Sequence, residues 1–148
     1  MSRILALPLL FRMTAFLELG YMLLGLLPPF ILEGITGWDL TADGHWVTKL
    51  LAVSLGAQAW IAWMLRDKPN LNVARGLAFY QVASATVDWL MWISLSDQGI
   101  FANPTSKVIV SAAILTHYAL GFLLIVTIRR AGRENPAAPR LRQMQDMS

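Results

Sequence analysis

The sequence predicts an all-α integral membrane protein, a transmembrane bundle of four antiparallel helices (up-down-up-down) with both termini cytoplasmic. Three observations lead to this fold class: the composition, four long apolar segments and the positions of lysine and arginine. Of the 148 residues, 56% are hydrophobic and only 14% are charged, whereas a soluble domain carries about 25% charged residues. Each apolar segment has about 20 residues or more, which is the length of helix that crosses a hydrocarbon core about 30 Å thick.

The predicted spans follow one another with short connections and leave a polar tail. They cover residues 4–32, 46–65, 73–95 and 108–128. Pro28 and Pro29 are expected to end or kink the first span, because proline cannot continue the hydrogen-bond ladder of a helix. Residues 1–130 therefore form one transmembrane domain. Residues 131–148 are polar and are expected to form a largely disordered cytoplasmic tail.

Lysine and arginine lie mainly on one side of the predicted bundle. On the richer side are Arg3, Arg66, Lys68, Arg75, Arg129, Arg130, Arg133, Arg140 and Arg142. The other side has Lys49 and Lys107, and Arg12 lies within the first span. An excess of positive charge marks the cytoplasmic side, so both termini are predicted to be cytoplasmic. The expected location is a bacterial inner membrane. Because the basic residues lie at the ends of spans, the net charge of +3 does not indicate nucleic-acid binding.

Several classes of site are excluded or not supported by the residues present. The chain has no cysteine, which excludes disulfides, thiol catalysis and thiolate metal sites. It has neither a glycine-rich phosphate loop nor an H-E-x-x-H motif. The loop after the first span contains Glu33, Asp39, Asp43 and His45, but their spacing matches no metal site. We interpret it as a solvated acidic loop, predict no metal and identify no cofactor.

Each predicted span carries a polar or ionisable side chain in its middle third. These residues are Glu18, Gln58, Asp88 and His117. Asp88 lies about 22 Å along the third span at 1.5 Å per residue. Lipid offers no hydrogen-bond partner at this depth, and a charge there costs several kcal/mol. We therefore expect the four side chains to face one another inside the bundle.

The expected interior defines two groups of candidate site residues. Glu18, Asp88 and His117 are the candidate catalytic residues, because ionisable groups inside membranes mark proton paths, substrate sites or counter-ions. The candidate ligand-binding residues are Arg12, Tyr21, Gln58, Trp60, Tyr80, Gln81, Trp89 and Tyr118. The two tryptophans have an alternative interpretation as interfacial anchors, although they lie deeper than the other tryptophans.

Arg12 has two open interpretations. It lies about 12 Å into the first span, where it either extends to the cytoplasmic headgroups or pairs inward with Glu18 or Asp88. Its angular separation from Glu18 around the helix is about 120°, so their positions on the same helix do not by themselves bring the two side chains into contact.

Three functional hypotheses follow from a polar and aromatic pocket inside a membrane bundle. The first is a protein that binds a quinone-, isoprenoid- or sterol-like molecule, either as a homo-oligomer or as an accessory subunit of a larger membrane complex. The second is an acid–base enzyme that isomerises or cyclises a lipophilic substrate with the candidate catalytic residues. The third is a proton-coupled transporter, for which four spans are few. Polar residues that only hold the helices together are the structural alternative.

The first span, LLFRMTAFLELGYMLLGLLPPF, resembles the opening of the DoxX-like group of small bacterial membrane proteins. In that group, an apolar run contains an arginine, then a small residue, then a glycine one or two turns later. The matching positions here are Arg12, Ala15 and Gly20. The resemblance implies a four-helix membrane fold. It also favours an accessory role, because some members are similar to subunits of quinone-linked redox complexes.

Overall fold

The computed structural model describes residues 6–134, and this part of the chain is helical without any β-strand. The helices are α1 (Ala6–Leu26), α2 (Pro29–Thr36), α3 (Ala42–Met64), α4 (Leu71–Leu95) and α5 (Pro104–Glu134), and a 3₁₀ turn covers Gly99–Phe101. The predicted all-α class is confirmed. Helix α5 includes residues 131–134, so the predicted tail begins as helix. The rest of that tail lies outside the described residues.

Three of the described helices are long and apolar enough to cross a membrane. They are α1 from Leu7, α3, and α5 up to Arg133. Helix α4 has 25 residues but is not among the three, and it contains Arg75, Gln81 and Asp88. The prediction that residues 73–95 cross the membrane therefore stays a prediction. Large apolar side chains cover the outer faces of the helices, as a lipid environment requires.

The first predicted span was too long at its C-terminal end. Helix α1 ends at Leu26, and residues 29–36 form the separate helix α2, because the two prolines interrupt the ladder and Pro29 fits the first position of a new helix. The carbonyl groups freed at the end of α1 are not left unpaired. The Lys49 ammonium donates to the carbonyl of Gly25 at 2.8 Å and also to that of Leu27.

Side-chain caps mark where the next three long helices begin. The Thr41 hydroxyl accepts from a backbone N–H of the first turn of α3 at 3.2 Å. Asn70 accepts two backbone N–H bonds at the start of α4, at 2.8 and 3.2 Å, and Asn103 accepts from Ser106 at the start of α5. Such caps satisfy the orphan donors of a helix N-terminus. They place the starts of α3, α4 and α5 before the predicted residues 46, 73 and 108.

The four long helices pack as two antiparallel pairs, α1 with α3 and α4 with α5, and α1 also contacts α5. One apolar core contains Phe11, Leu77 and Leu124, and a second contains Phe101 and Ile114 near the other end of the molecule. The buried Glu18, Gln81 and His117 are in neither core. We call the end that holds Arg66, Arg75 and Arg129 the basic end.

At the opposite end, α2 is fastened to the start of α5. The Ser106 hydroxyl donates to the carbonyl oxygens of Thr36 and Gly37 at 3.2 and 3.1 Å, and the Asn103 amide also donates to Gly37. Gly37 ends α2 in the left-handed conformation, with φ +69°, where a side chain is disfavoured. The loop predicted from Glu33 to His45 is therefore largely structured, and these two side chains hydrogen-bond at 2.7 Å.

Replacing Gly37 by alanine is expected to destabilise this fastening by about 2 kcal/mol, because it combines left-handed strain with a clash. A Cβ at this position would lie 2.6 Å from the Asn103 amide nitrogen. Thermal unfolding in detergent micelles measures the change. Gly34→Ala is the matched control within α2, since no atom beyond its own stretch of helix lies within 4 Å of its Cβ position. It is expected to be neutral or slightly stabilising, because alanine has the higher helix propensity. Equal effects of both variants would contradict the prediction.

Candidate functional site

A chain of three buried polar side chains connects α1, α4 and α5. The Gln81 amide nitrogen donates to Glu18 Oε1 at 2.5 Å, and the Gln81 amide oxygen hydrogen-bonds His117 Nδ1. Glu18 and Gln81 are completely buried and His117 nearly so. The structure thus brings together the acid and the imidazole that the sequence predicts to meet. Their link is Gln81, which was predicted only as a candidate ligand-binding residue.

The hydrogen bonds of Gln81 determine which His117 nitrogen carries hydrogen. An amide that donates to a carboxylate presents its oxygen to the other side, so His117 Nδ1 must be the donor. The neutral ring then has a lone pair on Nε2. Two tyrosines enclose this ring. Tyr21 stacks on it with centroids 5.4 Å apart, and Tyr80 meets it edge-on at 6.2 Å.

Glu18 keeps one unsatisfied oxygen. Within the described residues, Oε2 has no hydrogen-bond partner although it is inaccessible to solvent. The neighbouring Thr14 hydroxyl is not available to it, because that hydroxyl donates to the backbone carbonyl of Leu10 at 2.9 Å. A half-satisfied buried carboxyl is costly, which makes its single bond to Gln81 important for stability.

A cavity of about 230 Å³ lies beside this polar chain. His117, Tyr21 and Tyr80 line it together with Asp88 and Ser84, and most other lining atoms are apolar. Its lining also includes the half-exposed Leu51 and the residues Leu24, Gly25, Trp38, Thr48, Ala52, Leu55, Ile100, Ile109, Val110 and Ala113. An apolar cavity with a few polar groups on one side is the usual form of a small-molecule site.

Asp88 differs from the other acid in its surroundings. Its side chain is half-buried against the cavity, and it takes part in no hydrogen bond or ion pair found among residues 6–134. The polar lining residues near it are Ser84, on the preceding turn of α4, and Tyr80. The cavity therefore presents a carboxyl group, hydroxyl groups and aromatic rings to whatever occupies it.

Trp38 is a cavity residue that the sequence analysis missed. It follows α2 directly, its backbone N–H donates to the Thr36 hydroxyl at 3.2 Å, and its side chain lines the cavity. The indole N–H is buried without a partner in the described part of the chain. The sequence alone does not reveal this position, because only the return of α2 onto α5 brings Trp38 over the cavity. In the sequence, Pro28, Pro29 and Gly37 were the residues that could have indicated this change of chain direction.

Besides Arg12, four predicted ligand-binding residues belong neither to the cavity lining nor to the buried chain of Glu18, Gln81 and His117. Trp60 and Trp89 are 66% and 50% exposed. The first lines a shallow groove between α1 and α3, and the second packs edge-on against Trp92. Tyr118 is exposed and shares a hydrogen bond of 3.0 Å with Thr86. Gln58 is half-buried and does not line the cavity itself, but its side chain hydrogen-bonds Tyr80, which does.

Arg12 pairs outward and not with Glu18 or Asp88. Its guanidinium binds Asp67 at 3.0 Å, in the connection between α3 and α4, and its side chain is half exposed. Asp67 also lies 3.5 Å from Arg66. The long, flexible side chain reaches the end of the bundle because desolvating a guanidinium is expensive. Of the two interpretations offered for Arg12, extension to the end of the span is the one that the structure supports.

Comparison of the chain with protein-family models, with curated proteins and with solved structures finds no match.

Proposed function

We propose that the chain is a four-span membrane protein that binds a lipophilic molecule in the cavity beside His117. The fourth span is α4. Its 25 residues correspond to about 37 Å at 1.5 Å per residue, which exceeds the thickness of the hydrocarbon core. Its polar residues Gln81 and Asp88 are turned to the polar chain and the cavity, so their presence is compatible with lipid around the outer face.

The basic end supports a cytoplasmic orientation for both termini. Arg66 and Arg75 lie at the connection between α3 and α4, and Arg129 lies at the end of α5. Under the positive-inside rule this end faces the cytoplasm, and α2 faces the other side. A bacterial inner membrane is the location that we propose.

The observation that carries the binding proposal is an apolar cavity that contains a carboxyl group with no hydrogen-bond or ion-pair partner among residues 6–134. Asp88 and the indole N–H of Trp38 are polar groups left for a ligand. At about 230 Å³, the cavity is slightly smaller than common ligand pockets. It suits the ring of a quinone-, isoprenoid- or sterol-like molecule, with the remainder leaving past the half-exposed Leu51. The resemblance to the DoxX-like group supports a role as an accessory subunit.

The acid–base enzyme is the second candidate, and one observation favours it. Asp88 and His117 line the same cavity, so one could donate a proton to a bound substrate while the other accepts one. Glu18 would then be a positioning residue, because it acts on His117 only through Gln81.

Replacing Asp88 by asparagine tests both candidates. For a binder, we expect affinity to fall about tenfold, the usual effect of losing a hydrogen bond to a charged group. The probe is decylubiquinone, followed by tryptophan fluorescence of the purified full-length protein, alongside mass spectrometry of lipids that co-purify. If the protein is an enzyme, we expect Asp88→Asn to keep its affinity for the probe but to lose turnover of the co-purified compound.

Asp39→Asn is the matched control, because Asp39 is exposed in the connection between α2 and α3. It should leave binding unchanged. If Asp88→Asn affects neither affinity for the probe, nor the co-purified lipids, nor turnover, the polar groups only hold the helices together and the binding proposal fails.

A further inference from the structure

A groove at the basic end has a different character from the cavity. It runs between α4 and α5 and has a volume of about 380 Å³. Its walls are apolar except for an arginine on each helix: Arg75, Ala78, Phe79, Val82, Ile125, Ile128 and Arg129. None of these seven residues lines the cavity of Asp88, so the groove is a separate feature.

The residues on α4 recur at intervals of three and four, which places them on one helix face. From Arg75 to Val82 the groove extends roughly 10 Å along the helix axis. Phe79 is 76% exposed and forms a raised aromatic wall. The groove therefore begins between two guanidinium groups and continues between apolar side chains towards the middle of the bundle.

The two arginines are not neutralised by the carboxylates around them. Neither takes part in the ion pairs found within residues 6–134, and Arg75 donates to the neutral Asn72 side chain at 3.0 Å. Asp67, the acidic side chain in the neighbouring connection, is already shared by Arg12 and Arg66. Two positive charges at the mouth of an apolar groove are complementary to an anion with an apolar tail.

We propose that this groove binds an anionic phospholipid. Arg75 and Arg129 hold the headgroup phosphate, because guanidinium groups bind phosphate strongly, and one acyl chain lies along Phe79 on α4 and Ile125 on α5. Basic pockets between helices on the cytoplasmic side are suited to such lipids. The proposal uses the membrane placement proposed above but is independent of the cavity ligand.

Native mass spectrometry of the full-length protein in a neutral detergent tests the site. The protein is titrated with dioleoyl-phosphatidylglycerol and, separately, with dioleoyl-phosphatidylcholine. We expect clear preference for the glycerol lipid. Arg75→Gln and Arg129→Gln should each weaken that lipid about fivefold, and the double variant should lose the preference. Free glycerol 3-phosphate at the same concentration should not compete, because it lacks acyl chains.

Arg130→Gln is the matched control, since it removes the same charge next to Arg129 but lies outside the groove. This variant should keep the preference for phosphatidylglycerol over phosphatidylcholine. Equal losses in Arg130→Gln and Arg129→Gln would show diffuse surface charge and overturn the site. Equal retention of both lipids by the unaltered protein would also overturn it while leaving the membrane placement intact. A dimer that separates on Arg75→Gln substitution would assign the groove to a second copy instead.

Discussion

Gln81→Leu is expected to lower the free energy of unfolding by about 3 kcal/mol. Leucine fills a similar volume but removes both halves of the amide link, so Glu18 loses its one hydrogen bond and His117 Nδ1 loses its acceptor. Each buried polar group left unpaired costs about 1–3 kcal/mol, and more where a charge is involved. The expected loss exceeds the average of about 0.6 kcal/mol for a membrane hydrogen bond, because Glu18 and His117 would be left buried without another hydrogen-bond partner.

Unfolding of the purified protein by sodium dodecyl sulfate in mixed micelles, followed by circular dichroism, measures the change. Gln98→Leu is the matched control, because Gln98 is exposed and makes no capping bond with its side chain, and it should stay within about 0.5 kcal/mol. Glu18→Gln should cost less than about 1 kcal/mol, since its amide oxygen still accepts from Gln81. If Gln81→Leu proves as mild as Gln98→Leu, the buried chain does not support the fold.

Gly121→Val is expected to destabilise the α4–α5 pair by about 2–3 kcal/mol through overpacking. A Cβ at Gly121 would lie 2.8 Å from Val82 Cγ2 and 3.2 Å from Gln81 Cβ, with the Val82 backbone nitrogen at 3.4 Å. The valine methyl groups would force the two helices apart at the level of the polar chain. Small residues allow this kind of close approach between membrane helices, so the glycine has a packing role.

The same unfolding measurement applies, with a second readout at the site. Gly20→Val is the control, because nothing lies within 4 Å of its Cβ position on α1, and it should change stability by less than about 0.5 kcal/mol. In Gly121→Val we also expect the His117 ring resonances to shift in NMR spectra, since Gln81 must move with α4. Similar costs for both glycine variants would show that the α4–α5 contact is not tight.

The helices were largely predictable because their signals are local. Four long apolar runs, separated by the prolines at 28–29 and by short polar connections, correspond to α1, α3, α4 and α5. The errors lie at the ends. The predicted first span included the first four residues of α2, because residues 30–32 are apolar and hydropathy does not register the change in chain direction after Pro28. The starts of three helices were placed late, since Thr41, Asn70 and Asn103 cap them before the apolar run begins.

The sequence predicted that ionisable residues meet inside the bundle, but it did not predict which of them pair. Glu18 and His117 were expected at mid-depth and lie in one buried chain. Sequence position cannot specify the rotation of each helix about its own axis. That rotation made Gln81 the link between Glu18 and His117 and left Gln58 against Tyr80, outside the cavity lining. Arg12 was undecided because its partner Asp67 lies in a connection 55 residues away.

The sequence by itself determined that this chain is an apolar helical protein with several ionisable residues inside its helices, because composition and backbone chemistry act locally. Only the tertiary structure decided which of these groups meet. The close approach at Gly121 sets α4 against α5, and the return of α2 onto Ser106 brings Trp38 over the cavity. Both depend on contacts between residues far apart in the chain, where the fit of side chains, and not local preference, selects the arrangement.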